Sequence, residues 1–204
     1  MKRIILASAS PRRVALLHMM GLPFEQIVGG ASEAIDGVEG PANRVRILSR
    51  RKAEEVASGL SSGLVIGADT VVVIDEEILE KPKDDEDAFG MLSRLSGRTH
   101  VAITGLTLVD SGTLRSLTDV VRTRVSMREI SPFEIRSYVA TGEPMDKAGA
   151  YAAQGLGSSF VKHIEGCFHN VVGLPVERLC AMLKQMDCNI WEMRRDGAPT
   201  RRDA

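Results

Sequence analysis

The sequence predicts an α/β protein, and three stretches carry that reading. Residues 4–13 run from an apolar strand through a Ser-Ala-Ser turn into a helix begun by Pro11. A long helical pattern over 41–58 is followed almost at once by an apolar run over 64–74, the signature of a helix packed on a central strand. Residues 100–109 and 118–127 then read as two strands around a turn at 110–112. A chain of 204 residues suits one domain with a full core, or two modest lobes around a cleft.

Each element has a local reason. Ile4, Ile5, Leu6 and Ala7 form a short buried strand, Ser10 is placed to cap the helix after it, and Pro11 presets the first helical φ. Free backbone N–H groups at such a helix start attract anions, and Arg12 and Arg13 add charge beside them. On its own this is equally an ordinary βα unit with a surface arginine pair. The first helix covers 11–20, with Val14, Leu17 and Met20 inward and Gly21 as its stop. Residues 24–28 read as a second strand, and Glu33 lies in a glycine-led turn.

In the 41–58 helix, Lys52 falls on the same stripe as Val45, Leu48 and Val56, so it snorkels to an edge or points into a cleft. Asp69 interrupts the 64–74 strand, where a carboxylate is costly without a cation, a metal or several hydrogen bonds. Gly67, two residues earlier on the same face, leaves space beside it. A turn at 75–77 leads to a short return strand at 78–80, and Pro82 holds Lys81 extended. A helix follows over 84–95. His100 heads the next strand and is placed to orient a loop, while His18 is a packed or rim histidine. A capping box (Ser131, Glu134) opens a helix over 131–141, and small residues dominate 142–157, where backbone can approach a ligand closely. A strand over 160–164 and a helix over 176–186 complete the pattern; residues 188–204 read as a loosely held tail after a single domain over 1–187.

Composition excludes several functions. A net charge of −1 argues against retention on nucleic acid or an anionic membrane, so any polyanion bound is small and met by local cations. No apolar run reaches membrane-spanning length, and the N-terminus lacks a signal-like apolar region, which points to the cytoplasm. Three cysteines show no metal-ligand spacing, and no serine–histidine–acid arrangement is evident. The remaining chemistry belongs to Arg12, Arg13, Lys52, Lys81, Glu33 and Asp69. Cations around a helix start suit a short polyphosphate. Carboxylates beside it require a divalent metal between them, with Mg²⁺ the expected choice. Those residues describe a metal-dependent phosphoanhydride hydrolase.

At this point the chain resembles the Maf nucleotide pyrophosphatases. The likeness rests on Leu6-Ala-Ser-Ala-Ser-Pro-Arg-Arg13, Lys52-Ala53, Gly67-Ala-Asp-Thr-Val-Val72, Glu80-Lys-Pro82 and Leu95-Ser-Gly-Arg98 with His100. It continues through Thr104-Gly105, Gly142-Glu-Pro-Met-Asp-Lys-Ala148, Gln154-Gly155 and Asn170-Val-Val-Gly-Leu-Pro175. The resemblance implies hydrolysis of nucleoside triphosphates to monophosphate and pyrophosphate. The implied fold is a mixed, elongated sheet flanked by helices, with two lobes around a substrate cleft, as in the Maf and ITPase-like proteins. It carries the proton acceptor onto Asp69. Phosphate and metal contacts fall on Ser8, Arg13, Glu33, Lys52 and Lys81, with Glu33 and Asp69 holding Mg²⁺ or Mn²⁺. Base selection falls on Arg12, Thr70 and Gln154, in the pattern of the branch acting on dTTP and UTP; a sister branch acting on 7-methyl-GTP carries Trp, Gln and Glu there. A homodimer is a further expectation by resemblance. Many relatives have Asp-Glu where this chain has Ser32-Glu33, and strand alternation places Thr70 on the opposite face from Asp69. Two other readings compete: the same hydrolysis with another base, such as 7-methyl-GTP or a modified pyrimidine, and a non-catalytic nucleotide sensor in division control.

Overall fold

The structure, a computed structural model, describes residues 2–35, 37 and 40–195. In chain order, β1 (Ile4–Leu6) leads to α1 (Pro11–Met19), β2 (Glu25–Gln26), α2 (Pro41–Ser58) and β3 (Leu64–Ile74). Next come β4 (Glu77–Leu79), α3 (Asp85–Leu95), β5 (Thr99–Asp110) and β6 (Ser116–Met127). The chain closes with α4 (Pro132–Val139), three 3₁₀ turns, β7 (Val161–Glu165), α5 (Phe168–Val172), α6 (Val176–Gln185) and α7 (Ile190–Arg195). One seven-stranded mixed sheet runs β2-β1-β3-β5-β6-β7, with β4 added to β3.

Three long strands make the sheet elongated, and the core divides along their length. One apolar cluster takes Leu64, Ile66, Leu106 and Leu108 from one end of β3 and β5, together with Leu17 of α1 and Leu179 of α6. A second takes Val72 and Ile74 from the far end of β3, with Leu92 of α3, Val125 of β6 and Ile135 of α4, while two smaller clusters, around Val56 and Val65 and around Val45 and Val71, pack α2 on the sheet. Two lobes therefore share one sheet.

The edge of β3 locates the cleft. β1 pairs in parallel with β3 only as far as Leu6 opposite Ile66. β4 pairs with the same strand only from Val72 onward. The stretch between them has a neighbouring strand, β5, on one side alone. Asp69 and Thr70 sit in that gap, and both line the cavity that opens there. The opposite-face problem is thereby resolved: at an unpaired edge, side chains from both faces of a strand border the same space.

α2 crosses the sheet at the same place because two glycines let it. A Cβ on Gly67 would stand 2.2 Å from the Ser49 carbonyl oxygen, and one on Gly105 would stand 2.1 Å from that of Val45. The space predicted beside Asp69 is therefore filled by helix backbone. Gly105 is the cross-strand partner of Asp69, so this approach is what delivers Lys52 to the carboxylate.

Other expectations are met or amended for local reasons. The capping box of α4 is complete, with Ser131 accepting from the Glu134 N–H and Glu134 accepting from the Ser131 N–H. Ser10 occupies the N-cap of α1 but makes no side-chain cap bond. The expected strand over 24–28 shortens to two residues, since only those pair with β1. The first residues expected in the tail are ordered onto the domain. Cys188 is buried in the first core cluster with Ile190 packed on it, and a short helix follows. Residues 196–204, with Arg201 and Arg202, lie outside the described residues. Among the described residues no helix is long and apolar enough to cross a membrane.

Candidate active site

The cleft encloses about 940 Å³ between the lobes. Its floor is the start of α1 and the gap in β3. Arg13 anchors this floor: it is 9% exposed, and its Nε donates to the Gly173 carbonyl at 2.9 Å, Nη1 to Ser8 Oγ at 3.0 Å and Nη2 to Thr70 Oγ1 at 3.2 Å. All three acceptors are neutral. Burial pulls the guanidinium below its ordinary value while nearby Asp69 opposes the shift, and an arginine stays charged throughout. The result is a rigid, buried cation to which no carboxylate of the described residues is bonded, suited to a phosphate oxygen. Ser8 and Thr70 are thus held by Arg13, and Thr70 also shares a hydrogen bond with Thr104 at 2.9 Å.

Lys52 forms the second centre. Its Nζ donates to Asp69 Oδ1 at 2.8 Å and pairs with Glu33 Oε1 at 2.7 Å, bringing the two acids to one point. The hydrogen bond from Lys52 holds the Glu33 carboxyl below its ordinary range, with partial burial working against it. Lys81 lines the same cleft and is exposed there, and its charge also reaches Glu33. Gln154 is exposed at the end of the cleft formed by the second lobe. Arg12 reaches across from α1, donating through Nη1 to Asp146 Oδ2 at 2.8 Å, and Lys147 pairs with the same carboxylate. Every residue to which the family resemblance assigns a role lines this one cleft.

Sequence reasoning missed the supports. Asn170, wholly buried in α5, donates to the Ala102 carbonyl at 3.1 Å and Thr123 Oγ1 at 3.0 Å, fixing the segment that presents the Gly173 carbonyl to Arg13. Asp146 and Glu143 lie in a 3₁₀ turn of four residues, too short for any periodic signal. His100 is buried beneath the small-residue stretch, its Nε2 2.8 Å from Tyr151 Oη. That matches its expected loop-orienting place.

His100 also yields a pH prediction. Burial lowers its pKa from 6.5 to about 4. Between those values the unfolded chain binds a proton that the folded protein refuses, so stability falls as pH drops through this window. A shift of this size corresponds to about 3 kcal/mol lost over the window. Carboxylates held low, such as Glu33, begin to contribute only as pH falls through their ordinary value of 4.5, at the foot of this window. His100→Gln is expected to flatten stability between pH 6.5 and 4, read by denaturant melts; parallel curves for both proteins would contradict this.

A mixed α/β sheet whose cleft sets cations beside carboxylates at an interrupted strand edge defines a class suited to a small anion. The same overall fold occurs in the solved structure of a HAM1 protein from Coxiella burnetii, with a TM-score of 0.51 and 13% identity, covering 91% of this chain and all of that one. The chain belongs to the Maf family: the model described as Maf-like protein matches residues 3–186. It is 48% identical over 190 residues to the dTTP/UTP pyrophosphatase of Pelotomaculum thermopropionicum, covering 93% of this chain and 100% of that protein. The dTTP/UTP pyrophosphatase of Ruminiclostridium cellulolyticum is 48% identical over 188 residues, covering 92% and 97% respectively. That of Bacillus cytotoxicus is 46% identical over 187 residues, covering 92% and 97%.

Proposed function

We propose that the protein is a nucleoside triphosphate pyrophosphatase acting on dTTP and UTP, releasing the monophosphate and pyrophosphate. The single observation that carries the chemistry is the convergence of Asp69 and Glu33 on Lys52, beside the buried Arg13. The full-length likeness to dTTP/UTP pyrophosphatases supports the substrate.

Arg13, Lys52 and Lys81 bind the triphosphate, with Ser8 adding a hydroxyl and the start of α1 its N–H groups. Asp69 takes the proton of a water attacking the α-phosphorus in line. Positioning and charge stabilisation supply most of the rate in such a displacement. Two convergent carboxylates fit Mg²⁺ or Mn²⁺ bound largely through substrate phosphates and water; among the described residues there is no cluster of three or more ligands for a metal held by protein alone. Glu33 and Asp69 would hold the ion, which when bound supplies charge neutralisation at the phosphates. Arg12, Thr70 and Gln154 are the base-selecting set, and Gln154 reads the base edge: its amide accepts from the ring N–H of uracil or thymine and donates to a neighbouring carbonyl.

A panel of nucleoside triphosphates with Mg²⁺ or Mn²⁺, read by pyrophosphate release, tests the reading. Preferential release from dTTP and UTP is expected. Preference for 7-methyl-GTP would move the chain to another base, and no release from any triphosphate would favour a nucleotide sensor. Gln154→Glu is expected to lower kcat/KM for UTP and dTTP about 100-fold, because a carboxylate cannot donate to the base carbonyl. Unchanged selectivity would mean that the base is read elsewhere.

A further inference from the structure

We infer that Glu143 is a specificity-determining positioning residue, whose carboxylate fixes the backbone around Gln154 so that its amide meets the base in one orientation. The inference rests on the base-reading role proposed for Gln154. Glu143 Oε1 accepts from the Gly157 N–H at 3.0 Å and from Tyr138 Oη at 2.8 Å, and Oε2 accepts from the Leu156 N–H at 3.1 Å. Tyr138 Oη in turn accepts from the Ala152 N–H at 3.1 Å. The backbone is therefore tied on both sides of Gln154, at Ala152 before it and at Leu156 and Gly157 after it. Gln154 itself stays exposed to the cleft.

Gly155 records how closely the carboxylate sits. Its φ is +83°, and a Cβ there would lie 2.7 Å from Glu143 Oε2. The backbone conformation strains any side chain at this position, and a Cβ there would push the carboxylate off its donors. Burial tends to raise the Glu143 carboxyl, yet the donors from Gly157, Tyr138 and Leu156 outweigh it and hold it below the ordinary range. The acid is therefore charged at neutral pH, and charge-assisted hydrogen bonds to backbone N–H groups are the strong kind. Glu143 itself is spent on these three donors. A rigid presenter suits selection: a site built to pair with a base N–H discriminates only if its amide cannot turn to serve the reverse pattern.

Uracil and cytosine provide the test, since cytosine carries an amino group where uracil carries a carbonyl and lacks the ring N–H. Steady-state kinetics with UTP and CTP are compared for the wild-type protein, Glu143→Gln and Gln154→Ala. In Glu143→Gln the new amide nitrogen faces a backbone donor, so one tie is lost. The expected result is a rise in KM for UTP of about tenfold with kcat within about twofold, and a UTP-over-CTP preference reduced about tenfold. A loss shared equally by both nucleotides, or carried by kcat alone, would overturn the inference while leaving Gln154 as reader. If Gln154→Ala leaves the preference intact, the base-reading role fails and the inference fails with it. Should Glu143→Gln not fold, Tyr138→Phe removes one donor from the same carboxylate together with the acceptor for the Ala152 N–H, and is expected to reduce the preference at least about threefold; an unchanged preference there would equally overturn the inference.

Discussion

Asp69→Asn is expected to abolish turnover in a protein that still folds. The amide matches the carboxylate in shape but cannot take a proton, and loss of a positioned base costs about 10³-fold in kcat. Folding is spared for reasons visible at the site. Asparagine keeps an oxygen for Lys52, Lys52 keeps Glu33, and the pairing of β3 with β5 at this position is made by backbone. The variant should melt within a few degrees of the wild-type protein while pyrophosphate release from UTP falls to background. Near-normal turnover would remove Asp69 from the mechanism.

Gly105→Ala is expected to be the most damaging single-methyl change in the sheet. Its Cβ would lie 2.1 Å from the Val45 carbonyl oxygen and 2.9 Å from the Arg46 nitrogen, and both contacts are backbone, which cannot swing aside. α2 must lift from the sheet, loosening the packing of Val45 against Val71 and Ile103. Overpacking of this kind costs about 3 kcal/mol, corresponding to a fall in melting temperature of roughly 6–12 °C for a chain of this length. The same lift moves Lys52 away from Asp69, so activity should fall well below what the surviving folded fraction accounts for. A thermal melt with kcat measured at low temperature checks both parts. Unchanged stability would mean that α2 does not depend on this contact.

These two positions also show what was legible in the chain. Lys52 was recognisable as a cation on an apolar helical stripe, and Asp69 as an acid inside an apolar strand. Both signals are violations of a period, and a period needs a long element to be seen. Strand alternation puts Thr70 opposite Asp69 and gives no reason for the two to share a cleft. The reason lies in where β1 and β4 stop along β3, a property of pairing between distant segments that no local pattern encodes. Gly67 was read as open space because a missing side chain looks alike whether solvent or helix backbone fills the gap. The supports of the second lobe escaped for the opposite reason. Glu143, Asp146 and Tyr151 lie in or beside turns of three or four residues, where each side chain is placed by hydrogen bonds rather than by a repeating face. Glycine was the available signal: Gly142, Gly149 and Gly155 all adopt positive φ, marking a backbone folded tightly enough to bury its ties.

The central claim is that water attacks the α-phosphorus of a pyrimidine nucleoside triphosphate in this cleft. Turnover of UTP in heavy-oxygen water, followed by mass analysis of both products, tests it most directly. One heavy oxygen is expected in the monophosphate and none in the pyrophosphate. Label in the pyrophosphate, or release of orthophosphate in its place, would contradict it.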